Sequence, residues 1–178
     1  MIIIINALLV GLSLSVDAFV LALSYGIHKI SLKKVLVTSL VVGCFHFFMP
    51  LIGTFIGEKL FSYTIIKPNI IMFLIFMILS IDMFVHFFNK DEKVKDLSLL
   101  GIIIFAYSVS FDSLSIGIGL KYLFDSILMP ISCFTIVSFT FTLLGFKLGN
   151  VLNQKLGRYS FLFGSICFFL YSFYVLTN

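Results

Sequence analysis

The chain has 178 residues, of which 61% are hydrophobic and only 11% are charged, and its mean hydropathy is +1.19. A soluble domain is about half apolar and about a quarter charged, so this composition excludes that class and predicts an integral membrane protein. The net charge is +4, but there is no phosphate-binding loop or basic–aromatic pattern, and no nucleic-acid partner is expected. Cys44, Cys133 and Cys167 lie in apolar stretches without a CxxC pair, which indicates neither a disulfide framework nor a thiolate metal site.

Six stretches are long enough to cross the lipid core, which takes about 20 apolar residues as an α-helix. The first has no basic leader region or cleavage site and is predicted to be retained. The connections are too short to hold a soluble domain, so residues 1–178 are predicted to form one membrane domain. In chain order the predicted spans are 2–27, 35–57, 68–88, 97–121, 127–149 and 159–177, with a charged linker at 89–96.

Lys and Arg residues are distributed unevenly between the two ends of these spans. Nine of the twelve lie at the end that carries the 28–34, 89–96 and 150–158 loops, and three lie at the other. Since cytoplasmic loops are enriched in Lys and Arg, these three loops are predicted to be cytoplasmic. Both termini are then predicted to lie outside.

The two halves of the chain carry the same motifs in the same order. Three spans before the linker (about 1–88) and three after it (about 97–178) give the halves opposite orientations, as in the inverted repeats of secondary transporters. The predicted fold is therefore all-α, with six transmembrane helices in two inverted three-helix repeats. An offset of 95 residues pairs Ser13 with Ser108, Ser15 with Ser110 and Asp17 with Asp112, and one of 92 pairs Gly53 with Gly145 and Gly57 with Gly149.

Asp17 and Asp112 are each the sixteenth residue of a predicted span and lie near mid-membrane. A charged side chain at that depth costs about 2.5–3.5 kcal/mol on insertion scales, so the pair costs about 5–7 kcal/mol. No Lys or Arg lies within two helical turns of either residue in its own span. The remaining way to neutralise them is a bound cation, a proton, or each in turn.

Hydroxyl groups accompany both aspartates. Ser13 and Ser108 each lie four residues before an aspartate, on the same helical face. Because carboxylate and hydroxyl oxygens suit Mg²⁺, Ca²⁺ or Mn²⁺, we predict that Asp17, Asp112, Ser13 and Ser108 contribute to a metal site. The alternative is a pair of protonated aspartates bonded across a helix interface, with the serines bonded to their own helices.

Two further residues are candidates for the metal pathway. His46 lies at the centre of the second span, and its nitrogen would favour Mn²⁺ over Mg²⁺ or Ca²⁺ or carry protons; a hydrogen-bonded interior histidine is the alternative. Asp82, with His86 one turn later, lies towards the cytoplasmic end of the third span. It would receive metal from the cytoplasm, and the alternative is a water-facing pair at the membrane interface.

The stretches SLSVDAF, SVSFDSL and MPLIGTFIG, set in a six-span repeat, resemble the MntP-type manganese efflux pumps. These pumps belong to a superfamily of small exporters that includes lysine exporters, and the resemblance covers essentially the whole chain. It implies a bacterial plasma-membrane protein that exports Mn²⁺ as its substrate, without a resident cofactor, with Asp17 and Asp112 at the functional positions. His46 stands where many members have an acidic residue, and Asp82 where a basic one is frequent, so the metal preference is open to change.

The predicted function is secondary-active export of a divalent cation, with Mn²⁺ favoured and the lipid bilayer as the only other partner. No particular oligomeric state is predicted. Export of another cation or a small solute is an alternative, as is a non-transporting membrane protein of sporulation or assembly, since a related branch is known mainly from sporulation. No enzyme activity is predicted, because the glycine-flanked motif of intramembrane aspartyl proteases is missing around Asp112.

Overall fold

The computed structural model describes residues 2–26, 30–63, 67–88, 98–149 and 154–177. Within these ranges every regular element is an α-helix. A helix satisfies its own backbone polar groups, which is what a lipid surrounding demands. The helices are α1 (Ile2–Leu14), α2 (Val16–Gly26), α3 (Leu32–Tyr63), α4 (Pro68–Phe88), α5 (Leu99–Leu123), α6 (Leu128–Gly149) and α7 (Gln154–Thr177).

Four helical stretches in the described ranges are long and apolar enough to cross a membrane, and two shorter apolar stretches lie in α4 and α7. Large apolar side chains such as Leu40, Phe55 and Ile136 are exposed, as a surface in contact with lipid tails allows. The chain is therefore an all-α, multi-pass membrane protein. The four long stretches are Ile4–Gly26, Leu32–Tyr63, Leu99–Leu123 and Leu128–Gly149, and the shorter ones are Asn69–Val85 and Leu162–Thr177.

The second predicted span, 35–57, is the middle of a much longer helix. α3 has 32 residues, so at 1.5 Å per residue it is about 48 Å long, against a lipid core of about 30 Å. Its charged ends do not stop the helix, because long charged side chains reach the polar interface from a helical backbone. The predicted linker 89–96 lies outside the described residues.

The first predicted span, 2–27, is one apolar stretch over Ile4–Gly26 in the structure, but its helix is interrupted at Ser15. α1 ends at Leu14 and α2 begins at Val16. The N–H of Ser15, between them, lies 3.1 Å from the Gly11 carbonyl and 3.2 Å from that of Leu12. The Ser15 hydroxyl also donates to Gly11 at 2.6 Å, and such back-bonding by serine bends helices. The corresponding helix α5 is continuous from Leu99 to Leu123.

Helix packing follows the same pattern in both halves. α3 and α6 pack against each other, α3 also packs against α5, and α6 packs against α1 and α2. α4 and α7 pair with each other, while α4 contacts α5 and α7 contacts α1 and α2. Exchanging each helix for its counterpart in the other half (α1 and α2 for α5, α3 for α6, α4 for α7) reproduces these contacts.

Glycines allow main chains to touch in two of these helix pairs. A Cβ atom added to Gly145 of α6 would lie 2.5 Å from the Phe19 carbonyl oxygen of α2, and one added to Gly53 of α3 would clash with the Leu114 carbonyl of α5. Small residues at such crossings let membrane helices approach closely. The same contacts recur one turn later, between Gly149 and Leu23 and between Gly57 and Ile118.

Candidate functional site

Two buried hydrogen bonds join the helices on which the predicted site residues lie. Ser15 Oγ and Ser138 Oγ are 2.9 Å apart and link the turn after α1 to α6. Ser110 Oγ lies 2.8 Å from His46 Nδ1 and links α5 to α3. All four side chains are fully buried, and because unpaired polar groups are costly there, both bonds favour this one arrangement of the helices.

These two bonds are counterparts. Ser110 follows Ser15 by 95 residues and Ser138 follows His46 by 92, the offsets that align the aspartate and glycine motifs. The glycine contacts obey the same offsets, since Gly145 and Phe19 correspond to Gly53 and Leu114. Equivalent residue pairs therefore meet at two contacts between the halves, with an imidazole on α3 at the position where α6 has a hydroxyl.

Both ring nitrogens of His46 are buried, and polar groups face the ring. Its Nδ1 also lies 3.1 Å from the Val42 carbonyl oxygen. Its Nε2 is buried and makes no hydrogen bond of normal geometry within the described part of the chain, although the main chain of Leu14 faces the ring. The second ring nitrogen therefore lies at the break in the first span.

The main chain of α3 is also irregular next to His46. Pro50 lies inside the helix, and because proline has no N–H, the His46 carbonyl cannot receive its usual i+4 hydrogen bond. The counterpart of Pro50 is Thr142, whose hydroxyl donates to the Ser138 carbonyl at 2.7 Å. The irregular main chain is thus concentrated around the histidine.

The two aspartates lie on helices that belong to different packed pairs. Asp17 lies in the first turn of α2, is partly buried, and has a fully buried Oδ1 atom. Asp112 lies in the middle of α5 and is also partly buried. α2 packs against α6 and α5 against α3, and α2 and α5 also contact each other. A metal site shared by Asp17 and Asp112 stays a prediction.

The two predicted serine ligands differ in their surroundings. Ser13 is buried and donates to the Leu9 carbonyl at 3.0 Å, and it lines a cavity of about 260 Å³ between α1 and α7 together with Cys167. Ser108 is exposed and donates to the Phe105 carbonyl at 2.8 Å. Both hydroxyl protons are used in hydrogen bonds within the serines' own helices, as the alternative without a metal predicts for these serines. Only the lone pairs of the two hydroxyl oxygens remain for a metal.

Asp82 is exposed on α4, whose neighbours are α7 and α5. The side chain of His86, its predicted partner, lies outside the described part. Across the described residues, no three His, Cys, Asp or Glu side chains cluster closely enough to hold a metal ion together. The role of Asp82 in receiving metal stays a prediction.

Comparison with known proteins assigns the chain to a family. The family model described as "Putative manganese efflux pump" matches residues 29–176. The chain belongs to this family. The resemblance to the manganese efflux pumps is thereby confirmed. No solved structure matches the chain.

Relatives of the manganese efflux pump family match most of the chain. The protein of Desulfitobacterium hafniense is 32% identical over 149 residues, which cover 82% of this chain and 79% of the relative. That of Oceanobacillus iheyensis is 32% identical over 166 residues (90% and 89%), and that of Bacillus pumilus is 30% identical over 159 residues (89% and 86%). All three are named "Putative manganese efflux pump MntP".

The site residues predicted from the sequence do not include the three serines of the two buried hydrogen bonds or the main chain of Leu14. Ser15 and Ser110 align in the repeat, and each lies two residues before an aspartate, so the signal for them was present. For Ser138 the sequence offers only its place 92 residues after His46, the offset that also aligns the glycines. The Leu14 main chain had no signal in the sequence, because its position depends on the break at Ser15.

Proposed function

We propose that this chain exports Mn²⁺ from the cytoplasm of a bacterium across the plasma membrane, as a transporter and not as an enzyme. The names of its relatives support manganese as the substrate. The long apolar helices support a membrane location. In this proposal Mn²⁺ is the transported cargo, and no resident cofactor takes part.

We further propose six spans arranged as two inverted three-helix repeats that rock against each other. The pairing of Ser15 with Ser138 and of Ser110 with His46 supports this arrangement, because one pair becomes the other through the repeat offsets. The exchange symmetry of the helix contacts also supports it. In transporters built this way, the substrate site lies near the midplane, where the repeats meet.

The observation that carries the proposal is the pair of buried hydrogen bonds, one from the turn after α1 to α6 and one from α5 to α3, with one aspartate two residues beyond Ser15 and one beyond Ser110. We propose that Asp17 and Asp112 bind the cation there and that His46 contributes a donor. Ser13 and Ser108 offer lone pairs from the turns that precede the aspartates, and Asp82 receives metal on the cytoplasmic side. Within the membrane, away from bulk water, charge–charge interactions are stronger than they are in water.

The driving force in this proposal is an ion gradient, because the sequence has no ATP-binding motif. Moving a dication out of a negative interior opposes the membrane potential by about 4.6 kcal/mol per 100 mV. Exchange for protons on the same carboxylates would offset that barrier. Mn²⁺ flux into vesicles with and without an imposed pH gradient tests this coupling, and a flux indifferent to the gradient would argue against it.

Transport in cells tests the proposed function itself. In a bacterium that lacks its own manganese exporters, the parent chain is expected to lower cellular Mn²⁺ and to restore growth under Mn²⁺ stress. Asp17→Asn and Asp112→Asn are expected to fail at equal membrane levels. Asp125→Asn removes an exposed loop carboxylate and serves as the matched control, with transport like that of the parent.

Two results would contradict the proposal in different ways. A parent chain that leaves cellular Mn²⁺ unchanged would reject manganese export, and the same assay with other divalent cations would then define the substrate. Full transport by both asparagine variants would reject the aspartate site and leave the export activity intact.

We also propose that the loops at 28–34, 89–96 and 150–158 are cytoplasmic and both termini external. The Lys and Arg distribution supports this orientation. The described end opposite those loops carries Lys59, Lys67 and Lys121, with Lys121 paired to Glu58. A membrane-impermeant thiol reagent should label a cysteine placed at Lys67 in intact cells, and labelling only after lysis would reverse the orientation.

A further inference from the structure

A cavity of about 260 Å³ lies between α1 and the C-terminal part of α7. Along α1 its lining runs from Asn6 to Ser13, which is about 10 Å of helix. Asn6 lies in the first two turns of α1, and Ser13 lies one turn before Asp17. The cavity therefore extends from the turn that precedes this aspartate towards the end of the molecule that carries both termini.

Polar side chains line both ends of this cavity. At the end near the termini, the Asn6 amide nitrogen donates to the Tyr174 hydroxyl at 3.4 Å, and Tyr174 is 44% exposed. Ser13 and Cys167 lie seven residues further from the termini on the two helices and also line the cavity, as does Tyr171. Hydroxyl, amide and thiol groups are therefore distributed along its length, between apolar side chains.

The cavity is large enough for a hydrated divalent cation. A water molecule occupies about 30 Å³ in the liquid, so a volume of about 260 Å³ holds about eight. Mn²⁺ takes about six oxygen ligands, and hydroxyl and amide groups can form hydrogen bonds with the water molecules of such a shell. Lipid tails offer an ion no ligand, so a path with polar groups and water lowers the cost of leaving the membrane.

The repeat gives this cavity a counterpart at Asp82. An offset of 85 residues aligns the third spans of the two halves and pairs Ser80 with Ser165, which donate hydrogen bonds to each other's carbonyls. The same offset pairs Asp82 with Cys167, and α4 contacts α5 as α7 contacts α1. The position proposed to receive metal in one half is thus the position of the cavity thiol in the other.

These two counterparts differ in charge. Asp82 supplies a carboxylate on α4, whereas none of the described residues that line the cavity is acidic. A carboxylate attracts a dication, but an ion leaves a pathway only where it is bound weakly. An acidic entry and a neutral exit suit export from the cytoplasm.

We propose that the cavity between α1 and α7 is the path by which the exported divalent cation, with its water, passes from Asp17 to the outside of the cell. Asn6 and Tyr174 form its outer mouth, and Ser13 and Cys167 its inner end. This assignment rests on the proposed export function and adds the release path to it.

Cys167 is a built-in probe of water in the cavity, because the reactive form of a thiol is the thiolate, which lipid does not support. In intact cells a charged, membrane-impermeant methanethiosulfonate is expected to modify the Cys44→Ala/Cys133→Ala form, whose only cysteine is Cys167. The Cys133→Ala/Cys167→Ala form is the matched control and should stay unmodified, since Cys44 is exposed within the apolar stretch Leu32–Tyr63. Both forms should react after denaturation in detergent.

Modification should also block export. Mn²⁺ efflux by the form with Cys167 alone is expected to fall after the reagent, whereas the form with Cys44 alone should keep its own untreated rate. Leu9→Trp narrows the cavity and should reduce both efflux and the modification of Cys167. Leu8→Trp is the control, because Leu8 and Leu9 are 41% and 42% exposed and only Leu9 lines the cavity.

The outcomes separate the exit path from the export proposal. Cys167 that stays unmodified in intact cells and in inverted vesicles would show that lipid fills the cavity, and modification only in inverted vesicles would place it on the cytoplasmic side. Either result, or modification without loss of efflux, would overturn the path and leave export by the parent chain standing. A parent chain that exports no Mn²⁺ would reject the proposed function and the path with it.

Discussion

The close approach of α2 and α6 predicts a specific loss of stability on Gly145→Ala. A Cβ atom at this position would lie 2.5 Å from the Phe19 carbonyl oxygen, 2.9 Å from Ala22 Cβ and 3.2 Å from the Leu23 nitrogen. An ordinary contact begins near 3.4 Å, so the helices must separate by about 0.9 Å, and two of the three atoms are main chain that cannot rotate away. Overpacking of this kind costs about 1–3 kcal/mol, and the better helix propensity of alanine offsets less than about 1 kcal/mol of it.

Thermal unfolding in nanodiscs, followed by circular dichroism, measures this effect. For a chain of this length the loss corresponds to a midpoint lowered by about 2–10 °C. Gly43→Ala is the matched control, because its nearest atoms lie at 3.4 Å in Phe139 and Thr135, and we expect it to be neutral or slightly stabilising. Gly53→Ala, at the counterpart crossing of α3 and α5, should behave like Gly145→Ala. Equal midpoints for Gly145→Ala and Gly43→Ala would refute the close-packing argument.

Two further contacts lead to measurable predictions. Ser80 and Ser165 donate to each other's carbonyls at 2.9 and 2.8 Å and link α4 to α7. Ser80→Ala should therefore lower stability in the same unfolding assay by about 0.6–1.7 kcal/mol. An unchanged midpoint would mean that the two hydrogen bonds make no net contribution to stability. Glu58 and Lys121 form an ion pair with side chains 49% and 44% exposed, so Glu58→Gln should cost less than about 1 kcal/mol. High salt should remove that difference, and a salt-independent loss would contradict a surface ion pair.

The repeat motifs predicted more of the packing than the hydropathy profile did. The profile identified apolar stretches but placed the ends of the second span several residues inside α3. In contrast, aligning Ser15 with Ser110 and Gly53 with Gly145 identified residues that make equivalent contacts in the structure. Small and hydroxyl side chains are informative here because a lipid surrounding leaves them few partners except at helix crossings.

The break in the first span could not be predicted from its own residues. Ser13, Ser15 and Asp17 have identical counterparts in α5, yet only the first span is interrupted. The partner helices also differ, since Ser15 meets the small side chain of Ser138 and Ser110 meets the imidazole of His46. A motif read in isolation gives no signal of these contacts between distant segments.

The break also makes the two aspartates electrostatically different, although their motifs match. Asp17 lies in the first turn of α2, where the helix dipole stabilises a negative charge by about 0.3–2 kcal/mol, whereas Asp112 lies at the centre of α5 without that contribution. In metal-free protein at neutral pH, Asp112→Asn should therefore raise the free energy of unfolding more than Asp17→Asn does, by about that difference. Chelator-treated protein in the thermal assay measures it, with Asp125→Asn as a control expected to change little. Equal effects of the two substitutions would mean that the break gives Asp17 no electrostatic advantage.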